Sequence, residues 1–281
     1  MTLLSAYQIA ASVVFSLMTA LWICSLISRD ASIVDRFWGA GFVLIAWALY
    51  LATPQITSPM TLLTIIISIW GLRLSLYIHL RNRGHGEDYR YVEMRKYHGK
   101  NFWWYSFLSV FLLQGALMLI VAAPVIYVLS AAREDSISFI TWTGAWIWLV
   151  GFIFEAGGDL QLSRFKKSPM NKGKLLTTGL WSITRHPNYF GDSLQWWGFG
   201  LFAVSALELA GIMTLIGPVV MMLFIIKVSG VALLEKNLKT SKPGYEQYIA
   251  ATPAFFPKWR FWAFLIAGAF VVGGLAHIVT A

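Results

Sequence analysis

A chain of 281 residues with 58% hydrophobic and only 12% charged side chains lies far from the soluble norm of about 25% charged. Its mean hydropathy of +0.65 excludes an ordinary soluble core. The net charge of +9 does not call for nucleic acid, because membrane topology accounts for the basic residues and no nucleic-acid-binding motif accompanies them.

The predicted fold class is all-α: a polytopic integral membrane helical bundle. Apolar stretches able to cross a bilayer, about 17–25 residues each, run approximately over 4–28, 37–53, 60–80, 102–129, 138–158, 190–207, 209–229 and 261–279. They give seven or eight transmembrane helices, since only the region around Glu208 divides the sixth from the seventh. The first stretch has no basic leading region and no small-residue cleavage site, so it is expected to be a retained helix. Cys24, the single cysteine, lies within it and excludes an intrachain disulfide or a cysteine zinc site. With the N-terminus outside, 20 of the 22 basic residues fall in internal loops. Arg133 is in an outer loop and Arg73 within a span. The positive-inside rule then puts both termini outside the cytoplasm.

The first candidate functional segment is the loop 81–101. It interleaves Arg81, Arg90 and Arg95 with Glu87, Asp88, Glu93 and several tyrosines. Guanidinium forks can take phosphate in two-point contacts, so these arginines are candidate cofactor ligands under a hydrogen-bonded cover. A loop that only sets topology is the competing reading.

The second segment begins inside the fifth span. Glu155 and Asp159 are four apart and share a helical face, where they could accept from ribose hydroxyls or an adenine amine. Gly157 and Gly158 between them would admit a close ligand or a close helix. Arg164, Lys166 and Lys174 follow and could meet phosphates.

The third segment is the most unusual for a membrane chain. Arg185-His186-Pro187-Asn188-Tyr189, with Trp181 before and Asp192 after, sets polar groups beside a span. A charge at the bilayer centre costs roughly 2.5–3.5 kcal/mol, which points to a polar ligand or a wet cleft. Pro187 keeps His186 out of the α region and suits the first turn of a new helix. Further on, Glu235 and Tyr248 are ligand candidates in a segment that otherwise reads as interfacial. The five histidines show no metal-ligand spacing, so a metal mechanism is disfavoured.

These motifs resemble the C-terminal catalytic core of the steroid 5α-reductase family. The resemblance rests on Gly179-Leu180-Trp181 through Arg185-His186-Pro187-Asn188-Tyr189-Phe190-Gly191-Asp192, on Glu155 and Asp159, and on Leu234-Glu235-Lys236 through Tyr245, Tyr248 and Pro257. It covers roughly residues 138–259. Through Ser32–Gly39 and Trp70–Leu74 the whole chain is also similar to bacterial membrane proteins grouped beside those reductases. Sterol double-bond reductases share the Arg-His-x-Asn-Tyr-x-Gly-Asp pattern. The resemblance implies an NADPH-dependent reductase of an activated carbon–carbon double bond in a steroid-like or other lipid, with a cytoplasm-facing cofactor pocket. Similarity to bacterial proteins implies a bacterial inner membrane, where the charge count makes the termini periplasmic, and no required protein partner is evident in the sequence. Residues 1–137 would form the substrate side and 138–281 the reductase-like core.

Isoprenylcysteine carboxyl methyltransferases, in the same superfamily, carry Arg-His-Pro-x-Tyr-x-Gly and bind S-adenosylmethionine, so that cofactor is the alternative. Asn188 and Asp192 favour the reductase branch, because an amide suits the nicotinamide carboxamide. A lipid-binding protein without chemistry is a third reading. The adjacent Gln-Glu pair with which eukaryotic steroid reductases polarise the substrate ketone is absent. The resemblance suggests instead a carboxyl–tyrosine pair, with Asp35 and Tyr77 as candidates for the catalytic residues and Tyr89, Tyr91 and His79 as alternatives.

Overall fold

The computed structural model describes residues 1–130, 135–205, 207–229, 231, 234–235, 238 and 242–280, apart from the side chains of 228, 229 and 276–280. Arg133, Lys236 and Lys239, which enter the charge argument, lie outside the described residues. Every regular element described is helical, and the chain divides into two compact units, Met1–Ser136 and Ile137–Ala281.

In the first unit, α1 (Leu3–Ser28) starts at Thr2, whose hydroxyl accepts from Ser5 N at 3.1 Å and satisfies one free amide of the first turn. A short α2 (Ile33–Arg36) leads into α3 (Trp38–Ala52), which turns back through 53–57 into α4 (Ser58–Asn82). This hairpin is stitched along its length. Ser75 accepts the Ala40 amide at 2.8 Å, the Trp47 indole donates to Ser68 at 2.9 Å, and Tyr50 meets Thr61 at 3.0 Å. Along α4 the partners Ser75, Ser68 and Thr61 stand seven residues apart on one helical face, so the two helices stay packed along their length. Gly39 and Gly71 let the backbones touch, since a Cβ on either would strike the other's carbonyl oxygen.

Beyond α5 (Tyr89–His98) the chain runs through a 3₁₀ turn (Gly99–Asn101), α6 (Phe102–Ser106), a π-helical stretch (Phe107–Leu112), α7 (Leu113–Val121) and α8 (Ala123–Ser130). The span expected over 102–129 therefore begins earlier, at Tyr89, carries a π segment and ends at Val121. A π segment changes the side-chain register of the helix that follows, and such bulges are frequent at functional sites.

In the second unit, α9 (Phe139–Lys167) is capped by Ser138, which accepts from Thr141 N at 3.2 Å. A loop with 3₁₀ turns at Pro169–Asn171 and Gly179–Ser182 leads to α10 (Pro187–Val204). Then come α11 (Leu209–Met213), α12 (Ile216–Leu223), a π stretch (Phe224–Ser229), α13 (Tyr245–Ala251) and α14 (Trp259–Thr280). Helices α9 and α10 are antiparallel and unusually close. A Cβ on Gly151 would lie 2.7 Å from Gly191 O, and one on Gly198 would lie 2.7 Å from Gly144 O. The heptad spacing of these glycines makes the seam continuous.

Five described helices have the length and apolarity to cross a membrane: Leu3–Ser28, Ser58–Asn82, Tyr89–Val121, Phe139–Lys167 and Leu209–Lys227. Trp38–Ala52 and Trp259–Leu275 are shorter apolar helices. The sixth expected span corresponds to α10, but Asn188, Asp192 and Gln195 in its first three turns keep it out of the long apolar class. The protein is a polytopic helical membrane protein.

Candidate functional site

The 3₁₀ turn at Gly179–Ser182 and the start of α10 are locked to the segment that follows Glu235. Pro187 is the first helical residue, and His186, at φ −134° and ψ 62°, lies outside the α region as the proline requires. Arg185 and His186 are 7% and 2% exposed. Arg185 grips Glu235 with both prongs, Nε to Oε1 at 3.0 Å and Nη2 to Oε2 at 2.9 Å. Its Nη1 donates to the carbonyl oxygens of Thr252 and Ile249, and its backbone N to Pro253 O. His186 Nε2 lies 2.8 Å from Glu235 Oε1, and the Tyr245 hydroxyl donates to the same oxygen at 2.8 Å. Tyr248 donates to Trp181 O, and Thr184 to Ala254 O at 3.0 Å. Phe190 seals the apolar side against Phe154, Phe255, Phe261 and Trp262.

This clasp decides several protonation states. Desolvation opposes ionisation of Glu235, but hydrogen bonds from Arg185, His186 and Tyr245 outweigh it and pull the carboxyl down to about 2. Burial lowers the His186 pKa against the opposing pull of Glu235, so the ring is neutral at neutral pH. A neutral ring that gives its Nε2 proton to Glu235 carries its lone pair on Nδ1. Tyr189 stacks on the ring at 5.9 Å and 18°.

Arg185, a candidate for a phosphate contact by its charge, is committed elsewhere by this geometry. Four of its hydrogen bonds go to protein oxygens, so it has no fork left for a two-point phosphate contact. Glu235 and Tyr248 likewise serve the clasp, and Trp181 holds α9 through Nε1 to Gly158 O at 3.1 Å.

Along the α9–α10 seam a second pattern repeats. Asn188 Nδ2 donates to Asp159 Oδ1 at 3.0 Å, and two turns further Gln195 Nε2 donates to Glu155 Oε2 at 2.6 Å. In each pair a carboxylate takes the amide N–H₂ and turns the amide oxygen away. Asn188 Oδ1 and Gln195 Oε1 are both buried and accept no hydrogen bond among the described residues. Asp159 and Glu155 are each 3% exposed. Asp192 lies one turn beyond Asn188 on α10. Gly158 packs on Pro187 and the Asn188 backbone, so the glycine pair of α9 serves helix packing here.

The first unit holds its own polar cluster. Asp35 Oδ1 accepts from the Tyr91 hydroxyl at 2.8 Å and lies 3.5 Å from Gln114 Nε2, which also donates to Tyr91 at 3.2 Å. Arg90 bridges Asp35 and Asp88, each at 3.0 Å. Burial raises the Asp35 pKa against the opposing effects of Arg90, Tyr91 and Gln114. The phenol on Asp35 is thus Tyr91, whereas the Tyr77 ring is flanked by Arg73 at 5.2 Å and Arg81 at 5.8 Å. Arg95 is paired with Glu87 at 2.7 Å, and Glu87 also accepts the Ala31 amide at 2.7 Å. Of the expected phosphate ligands, Arg90 and Arg95 are therefore engaged by carboxylates. Arg81 Nε donates to Asn82 at 3.1 Å, and Arg164, Lys166 and Lys174 are exposed.

Sequence reasoning missed Gln195 and Gln114. Both carried a signal: each is an uncharged polar residue within an apolar run, and Gln195 stands seven residues after Asn188, on the same helical face.

An uncharacterized protein of Schizosaccharomyces pombe, C594.04c, is 26% identical over 221 residues, 69% of this chain and 63% of that protein. A probable O-methyltransferase, ustE, of Ustilaginoidea virens is 44% identical over 63 residues, 22% of each chain. The chain thus spans less than two thirds of either relative. No solved structure matches it. The family described as "Protein of unknown function (DUF1295)" matches residues 21–252, from α1 to the carbonyls that hold Arg185. The chain belongs to that family, within the superfamily of steroid 5α-reductase-like and methyltransferase-like membrane proteins.

Proposed function

We propose that the protein is a membrane reductase that binds NADPH and saturates a carbon–carbon double bond conjugated with a carbonyl in a lipid. The observation that carries this reading is Asn188, whose N–H₂ is held by Asp159 and whose buried Oδ1 has no donor among the described residues. A nicotinamide carboxamide brings an N–H₂ donor, so the residues present fit it. Asn188 would orient that amide, with Asp159 fixing which way Asn188 faces. Glu155 and Asp192 lie on the same seam as further acceptors. The exposed Arg164, Lys166 and Lys174 would screen phosphates. When bound, NADPH supplies the hydride.

Hydride addition to an enone builds negative charge on the carbonyl oxygen, which needs a donor. In the first unit the carboxyl–tyrosine pair is Asp35 with Tyr91, joined by Gln114, in place of Asp35 with Tyr77. An amide, a carboxyl and a phenol then meet although no adjacent Gln-Glu pair exists in the sequence.

The 44% identical segment of a probable O-methyltransferase favours a second reading, S-adenosylmethionine-dependent methyl transfer. Ammonium and ribose hydroxyl donors also suit the seam. Thermal unfolding of the purified protein with NADPH, NADH or S-adenosylmethionine separates the readings. A ligand at 100 times its Kd adds about 2.7 kcal/mol to stability. Stabilisation by NADPH, with its oxidation on addition of an enone, is the expected result. Stabilisation by S-adenosylmethionine alone assigns the methyltransferase, and by neither a lipid-binding protein.

A further inference from the structure

Gln195 has no part in the function proposed above. It is fully buried, at 0% exposure, in the middle of α10. Its Nε2 has two acceptors, Glu155 Oε2 at 2.6 Å and Gly191 O at 3.3 Å. A backbone carbonyl can only accept, so the amide cannot be flipped and Oε1 must face the other way. There it is enclosed and accepts nothing among the described residues. A buried acceptor left unpaired is destabilising, because its lost hydration is not replaced.

An apolar residue of the same length would remove that cost, and the surrounding seam shows that apolar and glycine packing is available here. The same construction recurs at Asn188, seven residues earlier on the same face, about 10 Å along the helix. Two carboxylates on α9, four residues apart, thus hold two amides on α10, and each amide presents a bare carbonyl. The construction thus occurs at two positions on one face of α10.

We propose that Gln195 is a second ligand-binding residue, whose amide oxygen accepts an uncharged O–H or N–H donor from a molecule bound along the α9–α10 seam. This rests on the reading that the seam binds a cofactor. The donor belongs either to the cofactor, as a ribose hydroxyl or amide, or to the lipid, as a hydroxyl. Glu155 is the positioning residue that fixes the amide.

The test compares Gln195→Met with the exchange Glu155→Gln plus Gln195→Glu in the full-length protein. The exchange keeps a hydrogen bond between the two positions and restores an acceptor at 195. NADPH affinity, and KM for a hydroxylated steroid enone and its deoxy analogue, are measured beside melting temperature. A cofactor donor gives Gln195→Met a roughly three- to tenfold weaker NADPH affinity with unchanged lipid KM. A lipid donor gives the same loss for the hydroxylated enone only. In either case the exchange recovers binding. If Gln195→Met shifts only the melting temperature, or nothing, the proposal is overturned. If the wild type is stabilised by S-adenosylmethionine and not NADPH, the reductase reading fails, and the same variants are compared with that ligand. A wild type that binds neither overturns both.

Discussion

At the residue scale, Arg185 and Glu235 are the pair on which the site's geometry depends. Removing one partner of a buried, hydrogen-bonded ion pair costs about 3–5 kcal/mol, because the other charge is left in a poor environment. Arg185→Ala should therefore lower the melting temperature sharply. Arg185→Lys should recover only part of the loss, since an ammonium cannot reach both carboxylate oxygens and the Thr252 and Ile249 carbonyls at once. The salt dependence of cofactor binding should stay as in the wild type, because Arg185 is not used on phosphate. A flatter salt dependence in Arg185→Lys would return the residue to the phosphate site.

The same cluster sets an acid limit on stability. Glu235 falls from an ordinary 4.5 to about 2 on folding, so its contribution is complete above 4.5 and is lost as pH falls towards 2. His186 acts in the same direction for a different reason. Its folded pKa lies below the ordinary 6.5, so the unfolded chain takes up the proton first and stability declines as pH drops below 6.5. Unfolding measured from pH 8 to 4 should show this upper limb in the wild type and not in His186→Asn. Persistence of the limb in that variant would assign it to another group.

At the element scale, the seam between α9 and α10 was partly legible in the sequence. Glu155 and Asp159 announced a shared face through their spacing, and Pro187 announced the start of α10. What the spacing could not reveal was the partner of each carboxylate. Asn188 and Gln195 lie about 30 to 40 residues further along the chain, and only the antiparallel crossing brings them opposite. Tyr91 was similarly hidden. It reaches Asp35 across 56 positions, and Gln114 joins them from just after a π segment that a helical periodicity of 3.6 cannot anticipate.

Because the crossing is so close, its glycines are the sensitive positions. Gly191→Ala would drive a methyl group into the Glu155 backbone N and Gly151 O, atoms that cannot rotate away. Overpacking of this kind costs about 1–3 kcal/mol and should also part Asn188 from Asp159. Both melting temperature and cofactor affinity are expected to fall. Gly274→Ala is the matched control, since nothing lies within 4 Å of a Cβ there and alanine is the better helix former. Equal behaviour of the two variants would show that the seam tolerates separation.

At the scale of the whole molecule, the number of crossings is fixed by which loops share a membrane face. Helix α3 has 15 residues and is about 22 Å long, short of the roughly 30 Å hydrocarbon core, so length alone does not decide whether it spans. Hydrogen bonds within each unit do. Glu87 holds the Ala31 amide and Arg90 holds Asp35, so the segments before α3 and after α4 meet at one end of the first unit. The α3–α4 hairpin must leave that end and return to it. In the second unit Arg185 holds Glu235, so the segments before α10 and after the Phe224–Ser229 stretch also meet at one end. Arginine and lysine collect at the meeting end of each unit, and the expectation from the positive-inside rule is that such an end is cytoplasmic. In a Cys24→Ser background, single cysteines at Arg83, Lys172 and Lys258 should be protected from an impermeant thiol reagent added to intact cells. Cysteines at Thr57 and Ser138 should be labelled. Labelling at Arg83 with protection at Thr57 would mean that the first unit is inverted, and labelling at both would mean that α3 and α4 do not form a crossing hairpin.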